Sequence, residues 1–399
     1  MNSRSILIVI SIFTFTGFMY ACNRPGEGSR NAGEHIKTVV QASVETETTK
    51  RGKNVDSADD PAIWINCENI ENSVVIGTDK KGGLTLYNLA GEQLNYYPTG
   101  DMNNCDLRYG FTLGDRTIDI LAASNRTLHS VSLFSINKNG ELDAIHNRII
   151  KSQMTDEVYG LCMYQNVETE KFFVFLNSKS GEVEQYELLA ADNKVDAKLI
   201  RSFSMGMQTE GMVADDITGT LYIGKEQAGI WKLKANSIGT SESNLVQNSS
   251  EENNNIRFDI EGLAIYPTDS INGYLIASSQ GNYSYAVFER QGNNKYLGSF
   301  RITDGKIDGV EETDGLDVTT FPLPGFPRGI LVVQDGFNYD GRRKQSQNFK
   351  IVSWEKIENL LQAKGKPGCV TSRPITICGC SVYLSIHSCA LIINRSRSK

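Results

Sequence analysis

Ser73-Val-Val-Ile-Gly-Thr-Asp-Lys-Lys-Gly-Gly-Leu-Thr-Leu-Tyr87 places two short apolar runs around a polar, glycine-bearing centre. That is the pattern of a β-strand, a tight turn and an antiparallel return strand. The pattern recurs at 119–134, 171–186, 220–233 and 273–288, and once more where 329–338 meets a partner run at 349–354. A shorter apolar strand precedes each copy. These leading strands begin Asp60-Pro-Ala-Ile-Trp-Ile, Asp106-Leu-Arg-Tyr, Tyr159-Gly-Leu-Cys-Met, Glu210-Gly-Met-Val, Glu261-Gly-Leu-Ala-Ile and Asp314-Gly-Leu-Asp-Val, spaced 46, 53, 51, 51 and 53 residues apart. Near-equal periods of that length in a strand-rich chain signal propeller blades. The sequence therefore predicts an all-β, six-bladed β-propeller with four antiparallel strands per blade. The alternating run Ile36 to Val44 is expected to supply the outer strand of the last blade and close the ring, removing an exposed edge.

Composition agrees. The 399 residues are 40% hydrophobic and 22% charged, with 36 glycines and 9 prolines, which excludes disordered, collagen-like and coiled-coil classes. The net charge of −7 offers no global field to attract nucleic acid, so any anion must be held locally. Upstream of the repeats, Met1 to Ser5 carries Arg4 and no acid, Ile6 to Tyr20 is uncharged, and Ala21-Cys22 follows. Fifteen uncharged residues are short for a membrane span and right for a secretory signal, so an exported chain is expected. Cys22 stands where a bacterial lipoprotein signal places its acylated cysteine, which would anchor the mature chain to a membrane; simple cleavage leading to a secreted or periplasmic protein is the alternative. The expected division is a signal peptide at 1–21, a tether at 22–34, the propeller at 35–365 and a tail at 366–399. A monomer is expected.

The eight cysteines form neither a zinc-ligand pattern nor a disulfide framework in the body. The tail holds Cys389 and Arg395 at the spacing of a cysteine-phosphatase loop, but the residues between them include no glycine to turn backbone amides toward a phosphate, so chance explains the spacing.

Propeller topology brings the start of each innermost strand to the same face as the turn between the second and third strands. Every leading strand but the third opens with a carboxylate, and Asp156 and Glu157 precede the third. The turns add Asp79-Lys80-Lys81, Asn125-Arg126, Asn177-Ser178-Lys179, Lys225-Glu226, Gln280 to Asn282 and Asp335. One face thus combines a ring of acids with a set of cations. Crowded carboxylates raise one another's pKa and call for a hard cation, and oxygen-only donors favour Ca²⁺ over zinc. Taken singly, each Asp-Gly or Glu-Gly pair reads as a solvated turn cap. Repetition at one blade position favours a site, and leaves open a metal-dependent hydrolase, a calcium-stabilised lactonase-like propeller and a non-catalytic binding platform.

A longer set of residues carries a resemblance. Ser57-Ala-Asp-Asp-Pro-Ala-Ile-Trp64, Asp106-Leu-Arg-Tyr109, Ala123-Ser-Asn-Arg126, Glu157-Val-Tyr-Gly160, Glu184-Gln-Tyr-Glu187, Gln208-Thr-Glu-Gly211, Asp259-Ile-Glu-Gly-Leu263, Ala277-Ser-Ser-Gln-Gly-Asn282, Lys306-Ile-Asp-Gly309, Thr313-Asp-Gly315 and Asn348-Phe-Lys-Ile-Val-Ser-Trp354 resemble, in order, the motifs of the β-propeller phytases. The resemblance runs from about residue 45 to 360. It implies a secreted, calcium-dependent phosphomonoesterase that hydrolyses phytate, myo-inositol hexakisphosphate, free or as calcium-phytate, by metal-activated water attack. By the same resemblance, Asp60, Glu210, Glu261, Asp314 and Gln280 match calcium ligands at the cleavage site, with Asp59, Glu226, Asp259 and Asp308 beside them. Glu47 and the Pro61 and Cys105 carbonyls match further calcium positions, and Lys80, Lys81, Arg126, Tyr159 and Lys179 match phosphate-holding residues. Among these, Glu210, Glu226, Asp259, Lys80, Arg126, Tyr159 and Lys179 are the expected catalytic set. Two departures stand out: Lys225 beside Glu226, where the family tends to have a second acid, and Cys105 in place of a small aliphatic residue. The tail beyond residue 365 has no counterpart in the family. Only His35, His129, His146 and His387 are present, none in an Arg-His-Gly context, so there is no histidine phosphatase motif, and metal-activated water attack needs none.

Overall fold

The computed structural model describes residues 32–236, 241–363, 375–377 and 380–382. The signal, Cys22, most of the tether and the Cys389 to Arg395 stretch lie outside them. Strand triplets and quartets form where valine, isoleucine and aromatic residues alternate between glycine-bearing turns, and they assemble as six sheets. The first is Ala58–Trp64, Val74–Asp79, Gly83–Asn88 and Gln93–Tyr97. The second is Met102–Leu113, Arg116–Asn125, Ser130–Ile136 and Leu142–Ala144, and the third Val158–Asn166, Lys171–Ser178, Glu182–Ala191 and Lys194–Ser204. The fourth runs Thr209–Asp215, Thr220–Lys225, Gly229–Lys234 and Asn244–Leu245; the fifth Ile260–Pro267, Gly273–Ser279, Ser284–Glu289 and Tyr296–Ile302. The sixth has Leu316–Thr319, Ile330–Asp335 and Asn348–Ser353, followed by helix Trp354–Ala363.

Apolar residues pack between blades rather than inside any one of them. Six clusters result, each shared by two neighbouring blades: Trp64 and Phe134 join blades 1 and 2, Phe111 and Phe172 join 2 and 3, and Phe175 and Leu221 join 3 and 4. Tyr222 and Phe288 join 4 and 5, Tyr285 and Val333 join 5 and 6, and Phe349 and Tyr87 close 6 onto 1. A ring of six is the arrangement in which every sheet buries both faces.

The N-terminal segment closes the ring in two steps. Val44–Glu45 pairs antiparallel with Asn348–Ser353 as the outer strand of blade 6. Upstream, Val39–Val40 pairs parallel with Tyr296–Ile302 and becomes a fifth strand of blade 5 instead of continuing along blade 6. This corrects the expectation of one continuous closing strand from Ile36: the chain crosses between two blade edges and covers both. Cys67 is disulfide-bonded, while Cys105 and Cys162 are buried thiols. No helix among the described residues is long and apolar enough to cross a membrane.

Candidate active site

Five of the six innermost strands carry a β-bulge at the same place, between Ala58 and Pro61, Met102 and Cys105, Val158 and Leu161, Thr209 and Met212, and Ile260 and Leu263. A bulge breaks the alternation of a strand and re-aims the residues within it. Asp59, Asp60, Asn103, Tyr159, Glu210 and Glu261 all lie in these bulges. The glycines that follow Tyr159, Glu210, Glu261 and Asp314 are placed where a side chain would not fit. A Cβ on Gly160 would stand 1.9 Å from Glu210 O, one on Gly211 1.8 Å from Glu261 O, one on Gly262 2.8 Å from Asp314 O, and one on Gly315 2.3 Å from Asp60 Oδ1. Each glycine therefore lets the acid-bearing backbone of the next blade close in, and Gly262 N and Gly315 N donate to Asp314 O and Asp59 O at 3.1 and 3.2 Å. The Asp-Gly and Glu-Gly repeats are inter-blade contacts, not turn caps.

Glu210, Glu226 and Glu261 are buried and offer oxygens within 4.8 Å of one another. Asn103 Nδ2 donates to Glu210 Oε1 at 2.6 Å, and Gln208 Nε2 donates to Glu226 Oε1 at 2.7 Å. Asp314 accepts from Gln280 Nε2 at 2.5 Å and from Lys80 Nζ at 2.9 Å. Asp60 Oδ2 accepts Cys105 N at 3.1 Å. Burial, then mutual repulsion, pushes the carboxyls of Asp59 and Glu261 well above the usual range, Glu226 up to about 7 and Asp314 up to about 6. Asp60 and Asp259 move the same way, burial first. Both carboxylate oxygens of Asp59, Oδ1 of Asp259 and Oε2 of Glu261 are buried with no hydrogen-bond partner. Buried carboxylate oxygens without donors are costly unless a cation meets them. The donor set is oxygen only, which fits a hard divalent cation.

Lys80 is nearly buried, with Nζ 2.8 Å from Asp56, 2.9 Å from Asp314 and 3.4 Å from Asp59, the last too poorly aligned to satisfy the Asp59 oxygens. Burial works against its charge, and these acids raise its pKa. Lys81 beside it is exposed. On blades 2 and 3, Arg126 makes a two-pronged contact with Glu157, Nε to Oε1 and Nη2 to Oε2 at 2.9 Å each, and Lys179 Nζ reaches the same Oε2 at 2.8 Å. Lys179 also sits over the Tyr159 ring, 4.9 Å from its centroid. Glu157, whose carboxyl is held below its ordinary value against its own burial by Lys179 and Arg126, thus gathers two of the expected phosphate-holding cations.

The structure brings Asp59, Asp60, Glu210, Glu226, Asp259, Glu261, Gln280 and Asp314 together at this mouth, with Pro61 and Cys105 in the strands beneath. It separates two others. Glu47 is exposed and its Oε1 accepts Gln93 N at 3.0 Å on the outer strand of blade 1. Asp308 belongs to a second cluster, in which the fully buried Lys350 contacts Asp308, Glu45 at 2.6 Å and Asp335 at 3.5 Å. Asn103 and Gln208 are the polar residues that positional spacing did not single out as partners of the site, and Glu157, expected as one of the ring acids, instead holds Arg126 and Lys179.

A family model for phytases matches residues 14–367. The chain belongs to the phytase family. It is 45% identical over 339 residues to the 3-phytase of Bacillus subtilis (strain 168), a span of 83% of this chain and 87% of that phytase. Among solved structures, the β-propeller domain of Cps50 (Swd1) from Myceliophteria thermophila aligns over 74% of this chain and 83% of that one, at 10% identity and a TM-score of 0.42. The phytase match spans all six blades and every residue of the acid cluster.

Proposed function

We propose that this phytase-family enzyme hydrolyses phytate to lower inositol phosphates and phosphate, and that it depends on several calcium ions held at the acidic mouth. The observation that carries the reading is the set of buried, donor-less oxygens on Asp59, Asp259 and Glu261 beside the Glu210, Glu226 and Glu261 trio. Glu210, Glu226, Glu261, Asp59, Asp60, Asp259, Asp314 and Gln280 would hold the ions, with the Pro61 and Cys105 carbonyls as further oxygens. When bound, calcium supplies charge neutralisation for the phosphoryl oxygens and acidifies a water for in-line attack on phosphorus.

The remaining steps belong to the chain itself. Arg126 and Lys179 exchange Glu157 for the oxygens of a neighbouring phosphate, and the two-pronged geometry of Arg126 suits such an oxyanion. Tyr159, under Lys179, bounds the same subsite. Holding one phosphate fixes the inositol ring and so orients the phosphate that is cleaved, a gain from proximity. Lys80 offsets the charge of Asp56, Asp59 and Asp314, and Lys81 remains free in solvent to meet the incoming polyanion. For localisation the reading is export with acylation at Cys22, checked by the mass of the mature N-terminal peptide.

The test is phosphate release from phytate by chelator-treated protein, with and without added Ca²⁺. Calcium-dependent release is expected. No release in either condition points to a binding platform, and calcium-dependent cleavage of esters or lactones with phytate untouched points to a lactonase-like enzyme.

A further inference from the structure

Arg126 and Lys179 open the turn between the second and third strands of blades 2 and 3, and Lys225 ends the second strand of blade 4 one residue before the equivalent turn position, all at the acid-bearing face. The first two share one carboxylate, Glu157. Lys225 is held differently. It is the last residue of strand Thr220–Lys225, and the next residue, Glu226, sends its carboxylate into the acid trio. Successive residues at a strand end point to opposite sides. Lys225 accordingly lies over the seam between blades 3 and 4, with Nζ 4.0 Å from the centroid of Trp231, a ring that packs into the cluster shared by those blades. Among the described residues it makes no ion pair with a carboxylate.

This difference matters for an incoming anion. A cation already paired with a carboxylate must give up that partner, so part of the new contact is spent on the exchange. An aromatic face orients an ammonium group without neutralising it. Lys225 therefore keeps an uncompensated charge at this rim, one residue from Glu226 and over the seam that blade 4 shares with the blade of Lys179.

We propose that Lys225 is a further substrate-binding residue, which holds a third phosphate of a polyphosphorylated substrate alongside the phosphate cleaved at the acid cluster and the one held by Arg126 and Lys179. The row of cations then selects for esters carrying at least three phosphates. This rests on the phytate reading above and extends it to specificity.

The experiment compares wild type, Lys225→Met and Lys225→Arg in saturating calcium. Lys225→Met keeps the stem on Trp231 and removes the charge. It is expected to raise KM for phytate about tenfold with kcat little changed, the size of one charge-assisted contact at a half-exposed site. The loss on a simple phosphomonoester should be much smaller, because that substrate has no further phosphate to place against Lys225. Calorimetric titration with inositol hexasulfate, which the enzyme cannot turn over, should show the same weakening in Kd, and Lys225→Arg should restore both. Lys225→Met indistinguishable from wild type in KM and Kd overturns the inference, as does a loss of kcat equal on both substrates, which would place Lys225 among the residues that set Glu226. A wild-type protein that releases no phosphate from phytate is a separate outcome and overturns the functional reading on which the inference stands.

Discussion

Removing divalent cations should make the protein progressively less stable as pH rises from 5 to 8, the reverse of ordinary acid denaturation. Burial and repulsion raise Glu226 from 4.5 to about 7 and Asp314 from 3.8 to about 6 in the fold. A carboxylate whose folded pKa lies above its unfolded value binds more protons when native. Stability then falls with pH across the window between the two values, from about 4 to about 7 here. Each shift corresponds to on the order of 3 kcal/mol at pH 8, and because both groups are repelled by Glu210 the two penalties are not simply additive. Asp215 and Asp269, whose pKa values are lowered, lose their stabilising charge only under more acidic conditions and do not mask the trend. For a domain of this size, a single such penalty corresponds to roughly 5 °C in Tm. Calcium at a hundredfold over its Kd should return about 2.7 kcal/mol per site, and more at pH 8 than at pH 5 because protons no longer compete. The assay is a set of thermal melts at pH 5, 6, 7 and 8 in chelator and in excess Ca²⁺. A chelated protein whose Tm is flat or rises over this range refutes the charge-crowding argument. So does calcium stabilisation no larger at pH 8 than at pH 5.

Three further outcomes follow from the site. Glu210→Ala should lower kcat on both phytate and a simple monoester by about 10² to 10³ or more, with phosphate release as the measurement, and should also raise the Tm of the chelated protein by relieving Asp59, Glu226 and Glu261. Lys179→Ala or Arg126→Ala should raise KM for phytate about tenfold and act much less on the monoester; equal losses on the two substrates would put these cations at the cleavage position. Gly211→Ala would place a methyl 1.8 Å from Glu261 O, so a destabilisation of about 3 kcal/mol and loss of calcium-dependent activity are expected. A wild-type melting curve for that variant removes the close-approach explanation of the glycine repeat.

How far the sequence reveals this site depends on whether a signal is local. The six-fold period, the strand pairs and the shared face of acids and cations follow from alternation and turn residues within each blade, so Asp60, Glu210, Glu226, Glu261, Asp314, Lys80, Arg126 and Lys179 are all legible, while Asp59 is reached only through the family resemblance. What one blade does to the next is not. Asn103 reaching across to Glu210, and Glu157 tying Arg126 to Lys179, are side-chain contacts between separate repeats, with no periodic mark. The bulges leave no mark either, since an extra residue in a strand looks like ordinary sequence until its partner strand is known. The segment around Val39 misleads for the same reason: its alternation is that of an edge strand, and alternation cannot say which of two neighbouring edges it will join.

The glycines that follow Glu210, Glu261 and Asp314 show where a local reading goes wrong. In isolation, Glu-Gly or Asp-Gly is a turn signal, and the glycine is there for its backbone freedom. In the ring, Gly211 and Gly262 are inside strands, and what they contribute is the missing Cβ, which allows Glu261 and Asp314 to be carried up against the preceding blade. A larger residue would widen the ring and let water in among the acids, relaxing the repulsion that raises their pKa values. The same absent side chain therefore sets both the packing of the blades and the spacing of the carboxylates. The cost of crowding those charges is then the free energy that a bound cation would recover, and Glu210, Glu261 and Asp314 each form one unit with the glycine that follows.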